Sequence, residues 1–259
     1  MLFRSEQDLY GTAAGLAISG KVVCASTFAM FASGRAFEII RNSIGYTGAN
    51  VKICATHAGI TVGEDGASHQ TFEDMALMRT IPGMTVINPS DGVSAQKLIE
   101  QAVAMEGPCY IRLGRASVPV TYKEEDSLTI GKGHQIREGK DVSIIATGIM
   151  VNEAVIASDM LSSENIDARV IDIHTIKPID RDIIIKAAKE TGGIVTCEEH
   201  SVIGGLGSAV AEIVSEEFPV KIQRVGQLDT FGESGKPEEL KKKYGMTADD
   251  IVRAVKKVL

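Results

Sequence analysis

Short apolar runs rich in β-branched residues alternate with stretches of helical periodicity along almost the whole chain, a rhythm that points to parallel sheets covered by helices. After a helix expected at 6–19, strands are expected near 22–27, 51–56, 84–88 and 109–113, with helices near 30–45, 71–80 and 91–105 between them. The rhythm breaks over 114–140, where Pro119, several glycines and the acidic run Glu124, Glu125, Asp126 have the composition of a linker. It resumes at DVSIIAT (141–147), with strands near 167–172, 192–198 and 220–225 and helices near 150–163, 180–190, 206–217 and 247–258. The 259 residues therefore divide into two α/β domains, each a mostly parallel sheet flanked by helices: 1–118, a linker at 119–134, and 135–259. The first domain opens on a helix, so its sheet is expected to lack the usual first strand and helix, which another chain or an upstream segment would supply.

Composition limits the class of partner. Hydrophobic residues make up 44% of the chain and no tract is of low complexity, which suits a fully folded globule. The longest apolar stretches are broken by glycine or charge, and the amino terminus lacks the regions of a signal peptide, so no membrane association and a cytoplasmic location are expected. The net charge of −7 is spread along the chain without a basic cluster, which argues against nucleic acid as a partner. Cys24, Cys54, Cys109 and Cys197 stand in or beside expected strands without paired metal-ligand spacing and read as buried free thiols.

The run THAGITVGEDGASHQ (56–70) gathers two histidines and an acidic pair into a glycine-rich loop. It follows the expected strand VKICAT and precedes an expected helix, so His57, Asp65 and His69 fall where open α/β sheets bind ligands; ordinary loop polarity is the plainer alternative. Glu6 stands in the first turn of a helix rich in small residues, where it either serves a ligand or simply favours the helix dipole. Phe28 and Phe31 lie three apart at a strand-to-helix corner, either as core or as the wall of a pocket for a flat ring. YIRLGR ends a strand with Arg112 and Arg115; a guanidinium there can grip a phosphate or carboxylate, and Arg112 is the one expected to be solvated or salt-bridged. EEHSVIGGLGSAVAE imitates a dinucleotide fingerprint but has Val210 in place of the third glycine, so tight turning is the expected role of Gly204, Gly205 and Gly207.

Taken in order, EQ with GTAAGLA (6–17), STFAMF, the histidine loop, YIRLGR, TIKPID (175–180), EEHSVIGGLGSAVAE and DTFGESGKPEEL (229–240) resemble the carboxy-terminal half of a transketolase, of the kind encoded as a separate subunit. The resemblance covers nearly the whole chain. It implies a pyrimidine-binding domain followed by a transketolase C-terminal domain, and a transferase that moves a two-carbon ketol unit between phosphorylated sugars, as in the pentose phosphate pathway. The cofactor implied is thiamine diphosphate. Glu6 matches the glutamate that donates a hydrogen bond to an aminopyrimidine nitrogen, for which its carboxyl must be protonated; this favours the imino tautomer and lets the cofactor deprotonate itself. Phe31 matches the aromatic stacked on the pyrimidine, with Phe28 beside it. His57 and His69 match histidines lining the substrate channel, Asp65 the acid that recognises a sugar hydroxyl, and Arg115 the arginine that binds the sugar phosphate.

The departures from the family pattern matter. Phe3, Arg4 and Ser5 stand where glycine, an apolar residue and alanine usually precede Glu-Gln, and Gly34 stands where many single-chain members have tyrosine. The family's Gly-Asp-Gly metal motif with its downstream asparagine is absent; the nearest string is Glu64-Asp65-Gly66. No metal is therefore expected on this chain. The resemblance instead implies an N-terminal subunit whose diphosphate-binding domain holds Mg or Ca, together with a homodimer of this chain. Deoxyxylulose-phosphate synthase has the same domains, and the beta subunit of a 2-oxoacid dehydrogenase is a more distant relative. An inactive assembly module and a metal hydrolase built on His57, Asp65 and His69 are the alternatives of another class.

Overall fold

The computed structural model describes residues 5–259, so Phe3 and Arg4 lie outside the described residues. Strands form where the apolar runs stand: β1 (Val23–Phe28), β2 (Val51–Thr56), β3 (Thr85–Ile87), β4 (Cys109–Arg112), β5 (His134–Arg137), β6 (Val142–Ala146), β7 (Ala168–Asp172), β8 (Thr175–Lys177), β9 (Ile194–Ser201) and β10 (Ile222–Gln227). They build two five-stranded sheets, in the orders β1-β2-β4-β3-β8 and β10-β9-β6-β7-β5. Every pair is parallel except β3 with β8 and β5 with β7. β6 and β7 are buried along their whole length, as expected of strands with helices on both faces.

Four features depart from the sequence reading. β5 emerges from the stretch read as linker, and the intervening segment is pinned by buried Tyr122 and Leu128. β8 crosses from the second half of the chain to the first sheet, pairing Lys177 with Val86 and Thr175 with Ile87. A helix at Pro237–Lys243, opened by proline at its first position, follows DTFGESGK. Cys24 is exposed on β1, an edge strand, and Cys54 is half-buried on β2; all four thiols are free. One apolar core runs across both sheets, joining Met78 and Val86 to Ile173, Ile176 and Val210. The first helix, Glu6–Ile18, buries only Tyr10, Ala13 and Ala14, and leaves Ile18 72% exposed.

Candidate functional site

Strand register delivers the site residues to one edge. β1 and β2 run parallel with Phe28 opposite Thr56, so the residue after β2, His57, lands beside the end of β1. The imidazole lies flat on Phe28, ring centroids 3.9 Å apart and planes 9° from parallel. His57 reaches this position with φ +57, a left-handed conformation that costs a residue with a Cβ and tends to mark functional corners. β4 pairs with β2 on the other side, Arg112 opposite Ala55, and two further hydrogen bonds, Leu113 to Ala55 and Ala58 to Leu113, carry Gly114 and Arg115 to the same edge. Arg115 donates through Nη1 to the Val62 carbonyl at 2.5 Å and lies 3.3 Å from the Glu64 carboxylate. Burial, and then the Arg115 charge, push the His57 imidazole below its usual value, with Asp65 opposing them.

The connection after β1 is helical, as the periodicity predicts, but wide turns cover Phe31–Arg35 and Ile40–Gly45. A π-turn of this kind shifts side chains off the regular helical stripe. Phe31 sits on the first one, 6.0 Å from Phe28 at 18° and edge-on to His69 at 5.5 Å. Arg35, on the same turn, approaches Glu6 at 3.6 Å. That separation is an ion pair without a hydrogen bond. The Glu6 side chain is 12% exposed, and its buried Oε2 has no hydrogen-bond partner among the described residues.

The histidine loop is folded, not loose. After Gly59 (φ +82) the chain makes tight turns over Ile60–Asp65. The helix Pro237–Lys243 packs against these turns, and the Gln70 amide donates to Ile60, Gly63 and Glu233 carbonyls. Asp65 stays exposed at the end of the turn, while His69 is half-buried beside the phenylalanines. Beneath the loop lies a buried polar network. Arg112 binds Asp74 at 2.8 Å and donates to the Glu199 carbonyl, and Tyr110 donates to the same Asp74 oxygen. Glu198 accepts the Leu206 and Gly207 amides at 2.7 and 2.8 Å at the head of the helix Leu206–Glu217, and burial pushes its carboxyl up to about 7. A Cβ on Gly205 would stand 2.0 Å from that carboxylate, so close approach, beyond simple turning, requires this glycine. His200 donates from Nδ1 to the Ser201 carbonyl and accepts the Ala76 amide at Nε2, a neutral imidazole whose burial pushes it down to about 4.

Phe28, Phe31, His57 and His69 thus form one aromatic group, with Glu6 joined through Arg35 and Asp65 and Arg115 on the loop side. Arg112 is the salt-bridged arginine and is buried. Among the described residues no group of three His, Cys, Asp or Glu side chains is placed to hold a metal ion. Sequence reasoning missed Asp74, Gln70 and Glu199. One signal was available: Glu198, Glu199 and His200 are three consecutive ionisable residues inside a strand, a pattern that demands buried partners.

Two family models cover the chain: "Transketolase, pyrimidine binding domain" matches residues 4–121, and "Transketolase, C-terminal domain" matches 131–251. A Methanocaldococcus jannaschii protein provisionally named transketolase C-terminal section is 50% identical over 254 residues, 97% of this chain and 79% of that protein. The 6-deoxy-6-sulfo-D-fructose transketolase subunit of a Clostridium species is 45% identical over 98% of this chain and 79% of its own length. A solved structure described as a split-gene transketolase, inactive beta4 tetramer, matches with TM-score 0.94 and 54% identity over 99% of this chain and 82% of that one. Human transketolase is 37% identical over 97% of this chain, which spans 41% of it.

Proposed function

This chain belongs to the transketolase family, and we propose that it is the carboxy-terminal subunit of a split transketolase, moving a two-carbon ketol unit between sugar phosphates in the cytoplasm. The observation that carries this reading is the Phe28–Phe31–His57–His69 aromatic group, together with a buried carboxylate oxygen on Glu6, which pairs with Arg35 on the turn that carries Phe31. These residues fit the aminopyrimidine end of thiamine diphosphate: one lone acceptor or proton donor for a ring nitrogen, and apolar faces for a flat ring. When bound, the cofactor supplies the carbanion stabilisation that side chains lack. Glu6 holds or shares a proton at Oε2, and Phe31 and Phe28 orient the ring. His57, kept neutral by its lowered proton affinity, and His69 line the substrate side and exchange protons with hydroxyls. Asp65 accepts a sugar hydroxyl. Arg115, already steered by Val62 and Glu64, takes the charged end of the substrate.

The metal motif is missing from this sequence, so the diphosphate and its magnesium or calcium fall to a partner chain, the N-terminal subunit. The poorly buried helix Glu6–Ile18, with Leu16 and Ile18 exposed and Val22 exposed just after it, supports pairing of two copies through the first domain, 1–118. The subunit and split-gene names of the relatives favour transketolase over deoxyxylulose-phosphate synthase. They also name two substrates beyond ordinary sugar phosphates, a sulfosugar and apulose 4-phosphate, so the acceptor and donor pair is the open variable. An assembly module without activity is the second reading, favoured by the inactive state given for the beta-only tetramer. Mixing the chain with its candidate N-terminal subunit, thiamine diphosphate and magnesium separates them. Ketol transfer that requires both chains is the expected result, and no transfer from any sugar-phosphate pair assigns the chain to the module.

A further inference from the structure

The acids best placed to influence the histidine loop include one on the far sheet. Glu199 lies on β9 and is 2% exposed. Its Oε1 accepts the Thr61 amide at 2.6 Å. The loop is shaped to admit it. A Cβ on Gly59 would stand 2.2–2.5 Å from the three carboxyl atoms of Glu199, and Gly59 also carries the positive φ that starts the turn. Any larger residue there would push the turn off its seat. The carbonyl of Glu199 is held in turn by Arg112, which Asp74 fixes through a buried ion pair. The first turn of the loop thus rests on a charged group from the other half of the molecule, and the turn leads directly to Asp65, with His69 four residues on.

We propose that Glu199 is a positioning residue: its buried carboxylate seats Thr61, and through that turn the C-terminal half of the chain sets where Asp65 and His69 stand against Phe28, Phe31 and His57. A charge-assisted hydrogen bond is about twice as strong as a neutral one, and here it is shielded from water on all sides. The consequence for turnover rests on the transketolase reading, whereas the seating of the loop does not.

Residue-resolved hydrogen exchange on the full chain tests the seating. In Glu199→Ala the Thr61 amide and its neighbours over 57–70 should exchange about tenfold to a hundredfold faster, the range expected for losing a hydrogen bond to a charged group. The β6 amides (Val142–Ala146) should exchange as in the unaltered chain. Glu199→Gln, which keeps the acceptor oxygen and the shape but not the charge, should restore part of the protection, and Glu199→Asp, one methylene short, should restore none. That pair decides the question even if the alanine variant fails to fold. Unchanged exchange at Thr61, or an equal loss of protection across β6, overturns the proposal. In the reconstituted complex the alanine variant should lose up to about a hundredfold in kcat/KM for sugar phosphates, as for a small misplacement of reacting groups, with affinity for thiamine diphosphate unchanged. Should the unaltered complex be inactive, the functional reading falls, and the exchange data still decide the role of Glu199.

Discussion

A buried carboxylate oxygen without a hydrogen-bond partner costs on the order of 1–3 kcal/mol, so a fold that keeps one has a use for it. Among the described residues Glu6 carries such an oxygen, and Arg35, with which it pairs, is half exposed and too distant to hydrogen-bond. A surface-facing pair of this kind stabilises little. If the carboxyl shares a proton with a ring nitrogen, Glu6→Gln in the reconstituted complex should lower turnover by about two to four orders of magnitude, the span of general acid-base catalysis, and shift KM far less. Turnover within a few-fold of the unaltered enzyme would remove Glu6 from the chemistry. At this scale the sequence offered candidates, and the structure brings four of them, Phe28, Phe31, His57 and His69, together. Glu6, Phe28, Phe31, His57, Asp65, His69 and Arg115 could be named from motif and order. The stacking of His57 on Phe28 could not, because it follows from the Phe28–Thr56 register and from a left-handed φ at a residue that is not glycine. Glu199 was equally hidden, since its partner Thr61 lies 138 residues away.

Elements were legible in proportion to their periodicity. Long apolar strands and amphipathic helices fell where expected, whereas β8 is three residues whose only strand partner lies in the first sheet, a pairing no local pattern encodes. β5 alternates poorly and leans on β7. The end of β7 shows how tightly the apparent linker is tied down: Asp172, fully buried, accepts Tyr122 from that segment at 2.7 Å and Ser90 at 3.3 Å, while its Oδ1 has no partner among the described residues. Burial pushes this carboxyl from its ordinary 3.8 up to about 7. Between those values the folded chain keeps a proton that the unfolded chain releases, so the Asp172 contribution is full below about 3.8 and is lost as pH rises through about 7. Asp172→Asn mimics the protonated form. Denaturant unfolding across that window should find the two proteins similar near pH 4, with the asparagine variant the more stable near pH 8 by on the order of a few kcal/mol. Parallel pH curves would contradict the assignment.

At the scale of the whole molecule, one core cluster spans both sheets, and the second half of the chain supplies both a strand, β8, to the first sheet and the seat beneath the histidine loop. The site edge is left half-covered: Phe28, Phe31, His57 and His69 are half-buried, and β1 has no outer neighbour among the described residues. An edge of that kind suits a cofactor gripped between two chains, one holding the pyrimidine and the other the diphosphate through a hard divalent ion. The repeated α/β rhythm made the two-sheet architecture legible, but which surface remained to be covered depended on the packed helices. Calorimetric titration of thiamine diphosphate tests this division of labour most directly. The account predicts weak or no binding to the chain alone, with or without magnesium, and tight magnesium-dependent binding once the N-terminal subunit is added. Tight, metal-dependent binding by the isolated chain would contradict it.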